Sequence, residues 1–566
     1  MMILSIYGLS LRAQDATIDR KKYPQNYFRA PLDLPPDASG SFGELRSNHF
    51  HSGTDYRTNQ QVGQLVHAAA EGSVSRIRVQ LGGGGNILYI DHPNGYTSVY
   101  MHMLRYNDAI TQVLRARQYN EKRFDVDFKP SKDLIIVKKG DIIGLSGNSG
   151  ASAGPHLHFE LRNTRTEETI DPPLFGLIIP DQVAPTISSL AIYDLDQDPF
   201  SENTPRRLLQ VKGTNGVYSL SNDQVIPING KTGLGIITFD RASVSSFRYG
   251  VYSIELLVDD APIYTAVWEK FSFDQSRAIN AHIDYPYYQL HSQRIQKSFV
   301  DPGNPLTIYK NVKNVGILAF TDHKPHTACY RVTDVLGNSS TMSFRLQQDE
   351  QYHASRVTAN GATHFPFDRE NVFTTAQIQV TIPAHSLYNN LAFTYSEGKK
   401  PIGGYSALHI VHNRMIPLHT GYSLSIKPDA TLPARLYGKA VIVDQNGNSQ
   451  GGSYQNGFVK TTVNAFGSFY ISVDTIPPVI RAINISDGKL MKGIQRMNFR
   501  ISDNCSGIQS FNGYIDDQWV LMEFDPKSAS LWHQLSSSLP SGVHRFKLVV
   551  KDRKENEKVY AINFKI

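Results

Sequence analysis

The chain has 566 residues, of which 40% are hydrophobic and 19% are charged. That length exceeds what one compact core usually holds and predicts several domains, and the balance of residue types argues against long disorder. The net charge of +6 is spread along the chain, whereas nucleic-acid binders concentrate basic residues in a patch, so no nucleic-acid partner is expected. No apolar run is long enough to predict a transmembrane helix.

Residues 1–22 are interpreted as a signal or other N-terminal segment. Residues 2–11 are apolar and are followed by Arg12, Ala13 and Gln14, which resembles the core and end of a secretory signal. The usual basic start of such a signal is missing, and an apolar strand or arm is the alternative interpretation. We expect an exported protein.

The two cysteines, Cys329 and Cys505, belong to no CxxC pair, so thiolate ligation of zinc is not expected. Two buried structural thiols are the favoured interpretation, and a disulfide between them stays open.

Short aromatic-rich runs between glycine and proline turns predict a mainly β protein. We divide the chain after its N-terminal segment into a first region (23–180), a second (181–350), a third (351–473) and a fourth (474–566). Strands are predicted in the first region at 65–70, 87–91, 97–101, 142–146 and 157–161. The helical spacing of Ile110, Val113 and Leu114 predicts a helix at 107–118.

The second and fourth regions begin in similar ways, with Ala184-Pro185 in one and Ile476-Pro477-Pro478 in the other. A strand that ends in aspartate before a polar turn recurs near Asp334 and Asp552. This pattern resembles the closing part of immunoglobulin-like β-sandwiches. We therefore expect β-sandwich domains in the second and fourth regions and a β-rich domain in the third.

His51 and Asp55 lie four residues apart with Gly53 between them. That spacing can turn an imidazole nitrogen and a carboxylate oxygen toward one point, and both are zinc ligands. Taken alone, the segment also fits an ordinary polar loop.

The segment 156–161 alternates polar and apolar residues and predicts a half-buried strand. Side chains two apart share one face of a strand, so His156, His158 and Glu160 are predicted to point the same way. Such a histidine pair fits a metal site or an acid–base site, and two exposed strand histidines are the alternative. His102, at the end of another predicted strand, gains weight only from the other two motifs.

The order of these motifs resembles the M23 family of zinc endopeptidases, with its lysostaphin-like or LytM-like domain. The matching features are H-x-G-x-D at 51–55, Tyr100-Met101-His102 and HLHFE at 156–160. The Gly-rich stretch 147–154 also matches; it lacks the Lys-Ser/Thr of a phosphate-binding loop and is interpreted as a tight turn. The resemblance covers about residues 30–177.

The resemblance implies that His51, Asp55 and His158 bind Zn2+, and that His102 and His156 flank the reacting water and the substrate. Two histidines and one carboxylate leave a zinc position open, as in catalytic sites. The sequence contains no HExxH motif, so His102 and His156 are the candidates for acid–base catalysis; which of them is the base stays open.

The implied function is that of a zinc metalloendopeptidase that hydrolyses peptide crosslinks of bacterial peptidoglycan, in the periplasm or outside the cell. One departure from the family is the long insertion 106–139, which can restrict entry to the cleft. A catalytically restrained or regulatory cell-wall binding protein that acts on partner proteins is the alternative. The β domains of the second to fourth regions are candidates for binding an envelope protein.

Overall fold

The computed structural model describes residues 18–566 except 197–199, 223 and 355–361. The apolar segment 2–11, on which the signal prediction rests, lies outside these residues. Strands dominate the described chain, which confirms the prediction of a mainly β protein. Within the described ranges, the helices are too short or too polar to cross a bilayer.

The first region is built on an antiparallel sheet with the strand order β1-β4-β13-β8-β7-β6-β10, and β5, β12 and β9 form a smaller sheet beside it. The strands are β1 (Ala38–Gly40), β2 (Leu45–Arg46), β3 (His49–Phe50), β4 (Thr54–Arg57), β5 (Leu65–His67), β6 (Gly72–Val79), β7 (Asn86–Asp91), β8 (Tyr96–Met101), β9 (Arg105–Tyr106), β10 (Val126–Phe128), β11 (Ile136–Val137), β12 (Ile142–Leu145), β13 (His156–Asn163) and β14 (Thr169–Ile170).

Helix α1 (Asp108–Glu121) confirms the helix predicted at 107–118. Asn107 caps its start, because the Asn107 side chain accepts a hydrogen bond from the Ile110 backbone N–H at 3.0 Å. Ile110 and Leu114 are buried in the core of the first region. The helix therefore lies within the predicted insertion 106–139 but is packed on the domain.

The second region forms one large sheet with the order β23-β19-β15-β16-β17-β26-β25-β20-β21-β24. Its elements are β15 (Thr186–Asp194), β16 (Arg206–Thr214), β17 (Val217–Leu220), β18 (Ile226–Ile228), β19 (Thr232–Phe239), β20 (Ser253–Val258), β21 (Ala261–Val267), β22 (Lys270–Phe271), α2 (Ile279–His282), α3 (Tyr285–His291), β23 (Gln296–Lys297), β24 (Tyr309–Val312), β25 (His326–Thr333) and β26 (Ser339–Gln348).

The first and second regions share a sheet and a core. Strand β22 of the second region pairs with β14 and so extends the central sheet of the first region. In return, Phe42 and Phe50 of the first region are buried in the core of the second, beside Trp268 and Phe271. The boundary at residue 180 therefore separates two stretches of sequence whose packing is continuous.

The third region places a five-stranded, a four-stranded and a two-stranded sheet around one hydrophobic core, and the fourth region places a four-stranded and a five-stranded sheet around another. The strands of the third are β27 (Thr363–Phe365), β28 (Asn371–Thr374), β29 (Ile378–Ile382), β30 (Leu391–Phe393), β31 (Tyr395–Gly398), β32 (Leu408–Val411), β33 (Tyr422–Ile426), β34 (Ala440–Asp444), β35 (Ser453–Gln455), β36 (Phe458–Val463) and β37 (Gly467–Val473). Those of the fourth are β38 (Val479–Ala482), β39 (Lys489–Leu490), β40 (Arg496–Ser502), β41 (Ile508–Ile515), β42 (Gln518–Val520), β43 (Glu523–Asp525), β44 (Ser530–Gln534), β45 (Val543–Asp552) and β46 (Glu557–Lys565).

The two cysteines are both free thiols, so the structure does not contain the disulfide that the sequence left open. Cys329 lies on β25 and Cys505 in the turn after β40, and both are half-buried. The favoured interpretation of two unpaired thiols is therefore confirmed, whereas their burial is only partial.

The fourth region folds back onto the first. Arg115 of helix α1 forms an ion pair with Glu523 at 2.8 Å. The rings of Tyr119 and Trp519 meet edge to face with their centroids 5.3 Å apart. Lys527 also contacts the Gly-rich stretch that precedes β13. The last domain in the sequence thus lies beside the first.

Candidate metal centre and catalytic site

Strand pairing brings the two histidine motifs together. In the antiparallel pair of β4 and β13, Asp55 lies directly opposite His158. On the other side of β13, His158 lies opposite Met101, the last residue of β8, so that His102 follows at the same edge. His51 comes from the loop between β3 and β4. Three segments that are distant in sequence therefore meet at one end of the sheet.

The glycine of the first motif is required by this arrangement. Gly53 lies so close to β13 that a Cβ at this position would collide with the backbone carbonyl of Phe159. Because only glycine fits such an approach, the loop can turn His51 back toward the sheet.

His51, Asp55 and His158 form a compact buried cluster. His51 Nε2 lies 3.0 Å from Asp55 Oδ1 and 2.9 Å from His158 Nδ1, and His158 Nδ1 lies 2.8 Å from Asp55 Oδ1. All three residues are at most 5% exposed. Their three nearest atoms can therefore all contact a single ion.

The hydrogen bonds behind the cluster show which nitrogens carry protons. His51 Nδ1 lies 2.7 Å from the Ser41 carbonyl oxygen, which can only accept, so Nδ1 donates and Nε2 keeps its lone pair. His158 Nε2 donates to the Glu160 carboxylate at 2.9 Å, which leaves the Nδ1 lone pair facing Asp55.

Two imidazole lone pairs and one carboxylate oxygen thus point at the same place. Such atoms repel one another unless a proton or a cation lies between them. Neutral imidazole nitrogens and a carboxylate are the ligands that zinc takes in catalytic sites, and the carboxylate behind His158 is the usual outer partner of a zinc-binding histidine. The three residues therefore fit a zinc ion.

The pKa values of the three residues reflect the close approach of these ligand atoms. Burial alone would lower the pKa of His158, but its hydrogen bonds to Asp55 and Glu160 outweigh burial and raise the pKa to about 9. Burial lowers the pKa of His51 to about 4. Although burial opposes it, the nearby histidines hold the pKa of Asp55 well below its ordinary value. Without a metal, one proton on His158 therefore balances the carboxylate.

Arg46 fixes the second oxygen of Asp55. Its guanidinium donates to Asp55 Oδ2 at 2.6 Å and also to Glu44 at 3.3 Å. Arg46 stands on the hairpin of β2 and β3. Because Oδ2 is occupied in this way, Asp55 presents only Oδ1 to the cluster.

His102 and His156 lie beside the cluster with their rings 4.7 Å apart. His102 Nδ1 donates to the Ser149 carbonyl at 2.8 Å, and His156 Nδ1 donates to the Gly154 carbonyl at 2.9 Å. The Gly-rich stretch 147–154 therefore supplies backbone acceptors that fix both tautomers. Each ring keeps an Nε2 lone pair, and His156 Nε2 lies 3.5 Å from Asp55 Oδ1.

His102 adopts a left-handed backbone conformation with φ of 63°, which is uncommon for a residue with a side chain. Strained residues of this kind concentrate at functional sites. Burial, and then the neighbouring His158 and His156, lower the pKa of His102 to about 3. The ring is therefore neutral near pH 7 and able to accept a proton.

The five residues predicted from sequence, His51, Asp55, His102, His156 and His158, all meet at this site. Sequence reasoning missed Arg46, because its contact with Asp55 depends on the fold of the β2–β3 hairpin. It also missed the carbonyl groups of Ser149 and Gly154, since backbone acceptors leave no trace in residue identity. The position of the Gly-rich stretch directly before HLHFE was the one available signal.

The sequence profile of peptidase family M23 matches residues 49–118 and 132–172, and that of the Zu5-like domain matches residues 362–474. The gap between the two M23 segments lies inside the predicted insertion 106–139.

Among similar proteins, an uncharacterized metalloprotease of Haemophilus influenzae is 36% identical over 142 residues, which are 24% of this chain and 25% of that protein. The peptidoglycan DD-endopeptidase ShyC of Vibrio cholerae is 30% identical over 154 residues, which are 25% of this chain and 29% of that protein. A zinc containing peptidase from Vibrio cholerae, known as a crystal structure, is 26% identical with a TM-score of 0.18 over 27% of this chain and 39% of that one. The matched part thus spans less than a third of the Haemophilus influenzae protein and of ShyC.

Proposed function

We propose, from the premise that this chain contains a peptidase family M23 domain, that the protein is a zinc-dependent endopeptidase which hydrolyses peptide crosslinks of bacterial peptidoglycan. The observation that carries the proposal is the convergence of two imidazole lone pairs and one carboxylate oxygen, with two further imidazole rings at their side.

His51, Asp55 and His158 would hold the zinc ion. When bound, zinc supplies a Lewis acid that polarises a carbonyl group and activates water. Arg46 and Glu160 keep the carboxylate and the His158 ring in the orientation that this requires.

His102 and His156 are proposed as the catalytic residues. Each has Nδ1 fixed on a backbone carbonyl and a lone pair on Nε2. A neutral imidazole in this state accepts a proton from an attacking water and then returns it to the leaving amine. In its protonated state, the second imidazole donates a hydrogen bond to the oxyanion of the substrate carbonyl.

The substrate class rests on the relatives. One protein that shares the matched region is named a peptidoglycan DD-endopeptidase. Peptidoglycan lies outside the cytoplasm, so we place the protein in the periplasm or outside the cell. The second to fourth regions, which lie outside the M23 match, are the proposed contacts to an envelope protein.

Purified full-length protein loaded with zinc, incubated with isolated peptidoglycan at neutral pH, tests this function. Chromatography and mass spectrometry of the released muropeptides should show cleaved crosslinks and new free amines. His158→Ala should abolish both bound zinc and cleavage. His49→Ala is the matched control, because His49 is exposed on β3 and its ring forms a hydrogen bond with the Ser47 carbonyl rather than with the cluster.

The control variant should cleave as the wild type does. Intact crosslinks after incubation with the zinc-loaded wild type would refute the proposal. Equal cleavage by His158→Ala would refute the assigned ligand set.

A further inference from the structure

A second group of carboxylates lies at the junction of the first and second regions. Asp181 belongs to the segment that links the two regions, Asp240 directly follows β19, and Asp334 directly follows β25. One oxygen from each lies within 4.8 Å of the others. The strand ends and the linker thus bring three carboxyl groups to one point.

This group is buried. Asp240 is 5% exposed and Asp334 is 3% exposed, while Asp181 is half-buried. Within the described part of the chain, none of the three forms an ion pair with a lysine, arginine or histidine. Like charges at this distance repel strongly when water is excluded, and buried charges are normally paired or bound to a metal.

One oxygen of the group has no partner. Asp240 Oδ1 is buried and makes no hydrogen bond. More than nine in ten buried polar groups in folded proteins are hydrogen-bonded, so such an atom indicates a ligand of another kind.

The other two carboxylates are held in place by the backbone. Asp334 Oδ1 accepts from the backbone N–H groups of Leu336, Gly337 and Asn338 at 2.7–2.9 Å. Asp181 Oδ1 accepts from Val183 and Ser243 at 2.9 Å. The group is therefore preorganised rather than a set of mobile surface acids.

A cavity of about 60 Å³ adjoins the group. Asp181, Asp240 and Asp334 line it together with Tyr249 and Trp268. This volume is more than one water molecule needs, so an ion that keeps one water has room.

We propose that Asp181, Asp240 and Asp334 bind a divalent cation, namely Ca2+. The ligands are all oxygen atoms, which hard cations prefer and which disfavour zinc and copper. Ca2+ also accepts an irregular set of carboxylates better than Mg2+, which demands near-ideal octahedral geometry. The ion fastens the linker to the ends of β19 and β25, and so fixes the second region against the first.

The fourth region contains a related group, Asp474, Asp503 and Asp552. There, however, the Lys554 ammonium interacts with Asp474 and Asp552 and supplies a positive charge. The proposal concerns the first group, which has no such cation among the described residues.

The third region offers a matched control. Asp444 ends β34 and accepts from the backbone N–H groups of Asn446 and Asn448 at 2.9 and 3.0 Å, as Asp334 does in its own turn. Among the described residues, Asp444 belongs to no such acidic group. Asp444→Asn therefore removes a carboxylate from a similar turn without touching the proposed site.

Terbium luminescence tests the site on the zinc-loaded full-length protein. Tb3+ substitutes for Ca2+, and Tyr249 and Trp268, which line the same cavity, serve as the sensitisers of its emission. We expect Tb3+ emission that Ca2+ competes away, and a rise of Tm on addition of Ca2+. In Asp240→Asn, the Ca2+ affinity of the proposed site should fall at least tenfold. Asp444→Asn should bind Ca2+ as the wild type does.

Folding of the variant is checked separately. Asp240→Asn relieves repulsion, so its Tm without Ca2+ should equal or exceed that of the wild type, and the Tm rise with Ca2+ should shrink. Proteolysis of the linker 177–185 should slow with Ca2+ in the wild type and in Asp444→Asn, but not in Asp240→Asn. Absence of Ca2+-competed emission in the wild type, or an unchanged affinity in folded Asp240→Asn, would overturn the proposal.

Discussion

His158 donates a hydrogen bond from Nε2 to Glu160 Oε1 at 2.9 Å, and this bond decides that Nδ1 faces Asp55. Glu160 is completely buried and is itself held by Ser52 and Arg162, each at 2.6 Å. Although burial opposes it, the Arg162 guanidinium and His158 lower the pKa of Glu160 to about 2, so the carboxylate stays ionised.

Glu160→Gln should weaken zinc binding about 10- to 100-fold, because a neutral amide is a weaker acceptor and no longer fixes the His158 ring. Competition with a chromophoric chelator measures the affinity. Glu167→Gln is the control, because it is the same substitution at an exposed position in the loop after β13. Equal affinity of Glu160→Gln and the wild type would show that Glu160 has only a packing role.

Zinc binding should release close to one proton between about pH 5 and pH 8. The pKa of His158 is raised to about 9, so its proton is bound throughout this range and must leave when zinc binds. The pKa of His51 is lowered to about 4 and that of Asp55 lies below its ordinary value, so neither carries a proton there.

The apparent Kd for zinc should therefore fall about tenfold per pH unit as the pH rises from 5 to 8. Two independent histidines of ordinary pKa would instead give a steeper dependence below pH 6 and almost none above pH 7. Calorimetry in buffers of different ionisation enthalpy counts the released protons directly. A Kd that does not change between pH 7 and pH 8 would contradict this prediction.

Removing His102 or His156 should separate catalysis from metal binding. The ring nitrogens of His102 and His156 lie outside the compact cluster of His51, Asp55 and His158. The variants His102→Ala and His156→Ala should therefore keep bound zinc. The loss of an acid–base group should lower kcat by about 10²- to 10⁴-fold. Zinc content by atomic absorption and turnover of a crosslinked muropeptide give the two readouts. Loss of zinc from either variant would make that histidine a ligand instead.

The roles of His51, Asp55 and His102 could be predicted only through the resemblance of the ordered motifs to family M23. The shared face of His156 and His158 could be predicted directly, because H-x-H is a short spacing that strand geometry translates into one face. The helix at 107–118 was predictable for the same reason. Contacts between distant segments were not. The pairing of Asp55 with Arg46 and the tautomers of His102 and His156 depend on how loops fold back, and a single sequence carries no periodic signal for that.

The division at residue 180 shows the same limit for domains. Composition and turn residues marked a boundary there, yet Phe50 of the first region packs against Trp268 and Phe271 of the second, with ring centroids 6.2 and 5.7 Å apart. The sequence shows that Phe50 is apolar but not which of the two hydrophobic cores it enters. The dependence of the first region on packing against the second could therefore not be predicted from the sequence.

Phe50→Ala should destabilise the protein by about 3–5 kcal/mol, as expected for emptying a buried aromatic site. Because Phe50 directly precedes His51, zinc affinity should fall as well. Phe247→Ala is the control, since Phe247 is 42% exposed. Chemical denaturation and zinc competition measure both effects. Unchanged stability would mean that the first region does not depend on the second.

The last domain should support catalysis through Lys527. Its ammonium contacts the carbonyl oxygens of Asn148 and Ser152, in the stretch whose neighbouring carbonyls hold His102 and His156. Lys527→Met removes the hydrogen bonds that both carbonyls accept from the ammonium and loosens this stretch, so kcat should fall about tenfold, equivalent to roughly 1.4 kcal/mol, with zinc retained. Lys558→Met, an exposed lysine on β46, is the control. A rise of kcat in Lys527→Met would show instead that the fourth region restrains the enzyme.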